Sequence, residues 1–269
     1  MRCIFILHFL FFAFLSLSAQ QRIDYGNNSV VGKYYNIRGI NMYCEIYGEG
    51  RPLLFIHGNG GSIKSFASNI PFFSKKYKVI ALDSRAQGKT IDTKDSLSFE
   101  MMADDEAALL DALHIDSAYV LGWSDGGINA LLLAMRHPEK VIKLVSTGAN
   151  IWPDSTAIVP AEWINEKNEF DTTQTRNFTA KEKNDWKLFL LDWYQPNISL
   201  QQMHSIKCPA LIVGGDHDVI RVEHTVLIAK NIPNAYLWIL PNSGHATLVE
   251  YKDEFDKKAD DFFSGRLRK

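Results

Sequence analysis

The sequence predicts an α/β fold in which a mostly parallel sheet of roughly eight strands is flanked by helices. Two observations lead to this prediction. Short, continuously apolar segments alternate along the chain with segments whose apolar residues recur every three or four positions. The chain has 269 residues, of which 46% are hydrophobic, so it can bury one sizeable core. We therefore expect a single domain over residues 21–269.

Eight apolar segments are predicted to be strands. The first two are joined by a tight turn at Arg38-Gly39-Ile40, so we expect them to pair antiparallel. The later strands are mostly separated by helix-length segments, as parallel strands require. In chain order the predicted strands are Tyr34–Ile37, Met42–Tyr47, Leu53–Ile56, Val79–Leu82, Ala118–Leu121, Val141–Ser146, Ala210–Val213 and Tyr236–Leu240.

Helices are predicted between and after these strands. The clearest is Phe99–Leu113, in which carboxylates fill the positions between apolar residues at helical spacing. The others are Ile63–Phe73, Ile128–Met135, Glu223–Ala229 and Glu250–Phe263.

Residues 150–205 interrupt the alternation. This stretch carries four tryptophans and no strand-like run, so we expect a helical cap insertion between two strands. In that position it would cover the carboxyl ends of the strands, where open α/β sheets bind ligands. Most of its tryptophans should pack within the insertion, with Trp152 a candidate for contact with a substrate.

The first 20 residues have the features of a secretory signal peptide. Arg2 precedes the apolar run Ile4–Leu17, and small residues follow it as far as Ala19. The run is short for a membrane span, so we expect cleavage after Ser18 to Gln20 and export to the periplasm or medium. No stable membrane insertion is then expected, although an uncleaved membrane anchor is the alternative.

Charge and cysteine content exclude several classes of protein. The net charge is −2 and no basic stripe is present, which argues against a general nucleic-acid binder. Removal of the signal peptide leaves Cys44 and Cys208, for which two buried free thiols are expected rather than a disulfide. Asp216-His217-Asp218 lacks a second source of ligands for a metal ion, so no metal or organic cofactor is implied.

The segment Gly122-Trp123-Ser124-Asp125-Gly126 follows a predicted strand and precedes a predicted helix. In this G-x-S-x-G pattern a sharp turn exposes the serine hydroxyl to a base and to main-chain N–H donors. Flanking glycines allow the neighbouring backbone to pack closely enough to form the turn. Ser124 is therefore the candidate nucleophile.

A base and its orienting acid are predicted on two later loops. His245 follows the last predicted strand, and Asp218 follows the strand before it. In that geometry the histidine would accept the serine proton, and the carboxylate would fix its tautomer. Asp216 is the competing acid, but Asp218 lies further along the loop. The remaining histidines outside the signal peptide are predicted near functional loops (His57, His217), at the surface or at helix ends (His114, His137, His204, His224).

Glycines after the strand Leu53–Ile56, in His57-Gly58-Asn59-Gly60-Gly61, predict a loop that aims a backbone N–H at a developing oxyanion. We assign that N–H to Asn59 and pair it with the N–H of Asp125. A phosphate-binding loop is excluded because the required G-K-[ST] is missing.

With these elements in register, the sequence resembles the α/β-hydrolase superfamily. The motifs are His57-Gly58, Gly122 to Gly127, Gly215 to Asp218 and Gly244-His245, in the Ser, Asp, His chain order of that fold. Asp83 to Lys89 is similar to the family's D-x-R-G-x-G-x turn, with Ala86 in place of the usual glycine.

A narrower similarity links Leu121 to Gly127 and Thr147-Gly148-Ala149-Asn150 to the biphenyl-hydrolase-like group. This similarity implies that Asp125 binds the α-amino group of amino-acid esters. The alternative is a carboxylate that only stabilises the positive N-terminus of a helix. Trp123, next to the nucleophile, is a second candidate for contact with substrate.

The sequence thus predicts an exported serine hydrolase that cleaves carboxylic esters through an acyl-enzyme, acting on a small ester or amide. Three alternatives use the same triad: a proline-iminopeptidase-like aminopeptidase, a C–C bond hydrolase and a cofactor-free perhydrolase. A catalytically silent binding module is the non-enzymatic alternative.

Overall fold

The computed structural model describes residues 23–267, and the predicted signal peptide lies outside them. Within that range the chain forms an eight-stranded sheet with the strand order β1-β2-β4-β3-β5-β6-β7-β8. Its strands are β1 Gly32–Ile37, β2 Ile40–Tyr47, β3 Arg51–Ile56, β4 Tyr77–Leu82, β5 Ala118–Trp123, β6 Val141–Thr147, β7 Ala210–Gly215 and β8 Ala235–Leu240. All eight predicted strands are confirmed, each with one or more residues added at its ends.

The strand directions determine which loops meet. β2 is antiparallel to both β1 and β4, whereas β3 to β8 run parallel to one another. The loops that follow β3, β5, β6, β7 and β8 therefore leave the sheet at the same edge. These loops include the glycine-rich segment at residues 57–61, Ser124, Asp218 and His245.

Nine α-helices are present in residues 23–267. They are α1 Ile70–Phe73, α2 Phe99–Ala112, α3 Asp125–Arg136, α4 Pro160–Thr173, α5 Ala180–Tyr194, α6 Leu200–Met203, α7 Val222–Lys230, α8 Thr247–Glu250 and α9 Lys252–Phe263.

Two predicted helices are each divided in the structure. The prediction of one helix over Ile63–Phe73 is wrong: a 3₁₀ turn at Ile63–Phe66 is followed by the short α1. Pro71 explains the break, because a proline inside a helix clashes with the carbonyl four residues earlier. The predicted helix Glu250–Phe263 is divided at Tyr251, whose backbone leaves the helical region.

The core has one layer on each face of the sheet. Alternate residues of β3 show this directly, since Leu54 and Ile56 pack on one layer while Leu53 and Phe55 pack on the other. Helices α2, α3 and α7 contribute to the first layer, and α1 and α9 to the second. This two-sided burial accounts for the continuous apolar character of the parallel strands.

Helices α4, α5 and α6 fill the chain between β6 and β7. Their aromatic side chains stack on one another, with ring centroids 5.0 Å apart for Trp163 and Trp193, and 4.8 Å apart for Trp186 and Phe189. Phe170 on α4 stacks on Trp193 of α5 and so joins the two helices. Three of the four tryptophans in this segment therefore pack against other aromatic rings.

Cys44 and Cys208 are both free thiols, with Cys44 buried and Cys208 half-buried. Burial raises the pKa of the Cys208 thiol to about 11, which keeps it protonated and unreactive at neutral pH. Across residues 23–267, no helix combines the length and the apolar character needed to cross a bilayer.

Candidate active site

Ser124 occupies a strained turn between β5 and α3. Its backbone has φ 57° and ψ −121°, a conformation that non-glycine residues rarely adopt. A Cβ on Gly122 would lie 1.9 Å from the Gly126 carbonyl oxygen, and one on Gly126 would lie 1.9 Å from that of Ile56. Both positions therefore require glycine, and the turn holds the serine hydroxyl clear of the backbone.

The Ser124, His245 and Asp218 side chains lie in one hydrogen-bonded row. His245 Nε2 is 2.9 Å from Ser124 Oγ, and His245 Nδ1 is 2.7 Å from Asp218 Oδ1. The Asp218 side chain is fully buried, while 26% of the His245 side chain is exposed. Asp218 Oδ1 also accepts the Ile220 N–H, which fixes the direction of the carboxylate.

Asp216, the competing acid, faces away from this row. Its Oδ1 accepts the N–H of Ser243 and lies 2.7 Å from Nδ1 of the exposed His217. The carboxylate therefore joins its own loop to the loop that carries His245.

Three residues hold the His245 loop against the sheet. The Trp123 indole N–H donates to the His245 carbonyl oxygen at 2.9 Å, and Glu250 Oε2 accepts the Gly244 N–H. Gly148, which follows β6, packs against the His245 ring: a Cβ there would lie 2.8 Å from Cε1 and 3.0 Å from Nδ1. These contacts leave the imidazole little freedom to move away from Ser124.

The glycine-rich loop after β3 lies beside the serine. A Cβ on Gly58 would lie 2.9 Å from Ser124 Cβ and 3.5 Å from its Oγ, so the loop packs against the serine one residue before Asn59. Asp125 opens α3, and the first N–H groups of a helix have no helical partner. The assignment of the Asn59 and Asp125 N–H groups as oxyanion donors stays a prediction.

His57 orders this loop. Its Nε2 accepts the Ser84 N–H at 3.0 Å, so Nδ1 carries the proton and donates to the Gly58 carbonyl oxygen. Burial lowers the pKa of His57 to about 4, which keeps the ring neutral and these two contacts intact at neutral pH.

A pair of carboxyl groups lies next to Ser124. Asp125 is 4% exposed, and its side chain is within hydrogen-bond reach of Asp192 on α5. The Asn59 side-chain amide donates to Asp192 Oδ2 at 2.9 Å and to the Leu188 carbonyl oxygen at 3.1 Å. Burial raises the pKa of Asp125 to about 6, and burial together with the Asp125 charge raises that of Asp192.

The two tryptophans predicted to contact substrate both have structural partners. The Trp123 N–H is used by the His245 loop, and its ring packs partly into the core. The Trp152 N–H donates to the Ile198 carbonyl oxygen, and its ring packs edge-on against His224. Both rings keep some exposed surface, so contact with substrate stays a prediction.

His224 lies at a helix end, one of the two positions predicted for it, and its side chain is buried. It lies in the first turn of α7, and its Nε2 accepts the Ile151 N–H at 3.0 Å, so the ring anchors the start of the chain between β6 and β7. Burial lowers the pKa of its imidazole to about 4. Two residues of the site carry no sequence signal for their contacts: Gly148, which packs against His245, and Asp192, which lies beside Asp125.

No metal site accompanies these residues: within the part of the chain that the structure describes, no three His, Cys, Asp or Glu side chains are gathered to bind an ion. A cavity of about 750 Å³ lies between residues 91–97 and α5. Its lining includes Trp186 and Tyr194 but neither Ser124 nor His245, so it is separate from the Ser124, His245 and Asp218 contacts.

Comparison with known proteins gives consistent results. A sequence model of the α/β hydrolase fold matches residues 51–184. The human serine hydrolase BPHL is 28% identical over 252 residues, covering 87% of each chain. A 2-hydroxymuconate semialdehyde hydrolase from a Pseudomonas species is 26% identical over 270 residues, covering 88% of this chain and 95% of its own.

Solved structures of other hydrolases have the same fold. Est816, described as an N-acyl homoserine lactone degrading enzyme, superposes with a TM-score of 0.71 at 25% identity, covering 85% of this chain and 99% of its own. The enol-lactonase from Burkholderia xenovorans has a TM-score of 0.72 at 21% identity, covering 86% and 99%, and supports the fold alone.

Proposed function

Because the chain belongs to the α/β-hydrolase superfamily, we propose that it is a serine hydrolase that cleaves carboxylic esters through an acyl-enzyme. The main support is the row of contacts from Ser124 Oγ to His245 Nε2 and from His245 Nδ1 to Asp218 Oδ1. That row is the arrangement that converts a serine hydroxyl into a nucleophile on several unrelated folds.

The reaction follows from these contacts. His245 accepts the hydroxyl proton as Ser124 attacks the carbonyl carbon, and Asp218 stabilises the imidazolium that forms. The oxyanion binds the N–H groups of Asn59 and Asp125, each worth on the order of 3 kcal/mol of the barrier. His245 then gives its proton to the leaving alcohol. It next activates a water molecule that releases the acid from Ser124.

Asp125 supports an α-aminoacyl ester as substrate. Its buried carboxyl group adjoins the nucleophile, where the α-ammonium of an amino-acid ester would lie when the carbonyl is at Ser124. The segment of residues 150–205, with eight acidic and five basic side chains, agrees with a cationic substrate.

A panel of esters tests this proposal. We expect hydrolysis of p-nitrophenyl acyl and aminoacyl esters by the wild-type protein and loss of that activity in Ser124→Ala. Asp125→Ala should raise KM for aminoacyl esters but not for acetyl or butyryl esters. A silent binding module would hydrolyse none of them. Peptide, vinylogous diketone and peroxide substrates in the same panel identify the aminopeptidase, C–C hydrolase and perhydrolase alternatives.

We also propose export through the signal peptide at residues 1–20, with residues 21–269 as one domain and a helical cap at 150–205. The support is the pattern of Arg2, the apolar run Ile4–Leu17 and the small residues that follow. N-terminal sequencing of the protein recovered from the source cell should begin after Ser18 to Gln20. An intact Met1 terminus in the membrane fraction would indicate the uncleaved anchor.

A further inference from the structure

We propose that Asp192 and Asp125 together bind the primary ammonium group of the substrate. Asp192 is supplied by α5, and Asp125 directly follows Ser124. The inference rests on the proposed function, because it concerns the same site. It adds Asp192 as a specificity-determining residue. Asp192 lies 67 residues after Asp125 in the chain.

The first observation is an unsatisfied carboxylate oxygen. Asp125 Oδ2 is buried and makes no hydrogen bond to the described residues, although the Asn59 and Asp192 side chains lie close to the Asp125 carboxyl group. A buried charged oxygen without a donor is costly, so native proteins pair such groups with a ligand, water or proton. Asp125 is 4% exposed and directly follows Ser124, so a donor at this oxygen would lie beside the reacting carbonyl.

The second observation is the position of Asp192. Its carboxyl group lies within hydrogen-bond reach of Asp125, and the Asn59 amide holds its Oδ2 at 2.9 Å. Asn59 is fixed in turn by the Leu188 carbonyl oxygen, one turn earlier on α5. The glycine-rich loop and α5 therefore both hold Asp192 toward Asp125.

Two adjacent carboxylates repel each other, so without substrate the pair holds a proton between them. The charged and titratable groups that face the pair are His245 beside Asp125 and Glu166 of α4 beside Asp192. Burial, together with Glu162 and Glu169, raises the pKa of Glu166 to about 7, so it adds negative charge only above neutral pH.

An ammonium group fits this site better than a metal ion. It carries three N–H donors, enough for both carboxylates, and it brings the positive charge that lets both ionise. The described residues gather no metal-binding set here. When the ammonium binds, the shared proton leaves to solvent, so binding is accompanied by proton release at acidic pH.

The experiment compares two esters that differ only in the amine, L-alanine benzyl ester and benzyl propionate, at pH 7. We expect Asp192→Asn to lower the ratio of kcat/KM for L-alanine benzyl ester to kcat/KM for benzyl propionate by about tenfold or more. Loss of one hydrogen bond to a charged group changes a binding constant by at least that factor. Asp185→Asn removes an exposed carboxylate two turns earlier on the same helix and should leave the ratio unchanged. An unchanged ratio in Asp192→Asn would overturn the proposal.

A second measurement does not depend on the folding of the Asp192 variant. L-alanine benzyl ester is titrated calorimetrically into Ser124→Ala protein at pH 5.5, in two buffers of different ionisation enthalpy. We expect release of a substantial fraction of one proton per ligand, and none with benzyl propionate. Binding of the amine without proton release contradicts the shared proton.

The outcomes also separate this inference from the proposed function. If Ser124→Ala hydrolyses benzyl propionate as well as the wild type, the proposed function is wrong. If Ser124→Ala is inactive while Asp192→Asn leaves the ester ratio unchanged, the function stands and only the ammonium site fails.

Discussion

Gly148→Ala tests whether the position of His245 limits the reaction. The substitution adds one methyl group, placed 2.8 Å from His245 Cε1 and 3.0 Å from Nδ1. Ordinary contacts between carbon atoms are about 3.5–4.0 Å, so the ring has to move by roughly 0.7 Å or more. A displacement of that size away from Ser124 would lengthen the 2.9 Å contact between His245 Nε2 and Ser124 Oγ beyond hydrogen-bond range.

The expected loss follows from this displacement. A misplacement of about 1 Å costs on the order of 100-fold in rate, within the range of 10²–10⁴ attributed to a general base. We therefore expect kcat to fall about 100-fold while KM changes little. Gly148 has φ +66°, so alanine also costs about 1–2 kcal/mol of folding stability.

Gly39→Ala is the matched control. Gly39 has φ +86° in the turn between β1 and β2, and a Cβ there meets nothing within 4 Å. This variant carries a similar backbone strain without the contact, so it should lose stability and keep wild-type kcat. Steady-state hydrolysis of p-nitrophenyl butyrate and thermal unfolding measure both quantities. Wild-type kcat in Gly148→Ala, with a stability loss equal to that of Gly39→Ala, would refute the claim that contact with Gly148 positions His245 for the reaction.

Four further predictions concern Asp218, Trp123, Ala86 and Asp192. Asp218→Asn should lower kcat by roughly 10⁴-fold with KM retained, because the amide fixes the wrong tautomer of His245; wild-type kcat would exclude Asp218 as the orienting acid. Trp123→Phe keeps a ring but loses the N–H bond to the His245 carbonyl, worth about 1 kcal/mol, so kcat should fall about fivefold. Ala86→Gly should raise the free energy of unfolding by about 0.5–1 kcal/mol, since Ala86 has φ 64°; a destabilised variant would contradict that strain. Asp192→Asn should raise Tm relative to wild type at pH 8 and much less at pH 4, as judged by calorimetry. The pKa of the Asp192 carboxyl is raised in the native state, so the native state holds this proton more tightly than the unfolded state does. The native state therefore loses stability as the pH rises through that raised pKa.

The strands can be predicted from the sequence because the pattern that marks each strand is local. Each parallel strand is buried on both faces and reads as an apolar run, as Leu53–Ile56 and Ala118–Leu121 do. The turn at Ser124 is equally predictable from the sequence, since Gly122 and Gly126 are required by contacts of 1.9 Å that no side chain could tolerate. Helix boundaries were less secure, because Pro71 and Tyr251 divide segments whose apolar spacing is continuous.

Contacts between distant parts of the chain cannot be predicted from local sequence patterns. Gly148 has no local signal for its contact with His245, which arises only because β6 lies between β5 and β7 in the sheet. Asp192 is one of three acids on α5, and its position beside Asp125 depends on how α5 packs. Ala86 stands where glycine is usual in the similar family, and its left-handed backbone explains why glycine suits that position.

The assignment of Ser124 as the nucleophile is tested most directly by labelling with a fluorophosphonate probe, followed by peptide mass spectrometry. We expect one label per chain on the peptide that contains Ser124, lost in Ser124→Ala and unchanged in the exposed-site control Ser155→Ala. Labelling should also fall steeply in His245→Ala, because the hydroxyl then lacks its base. A label that persists in Ser124→Ala, or that maps to another residue, contradicts the assignment.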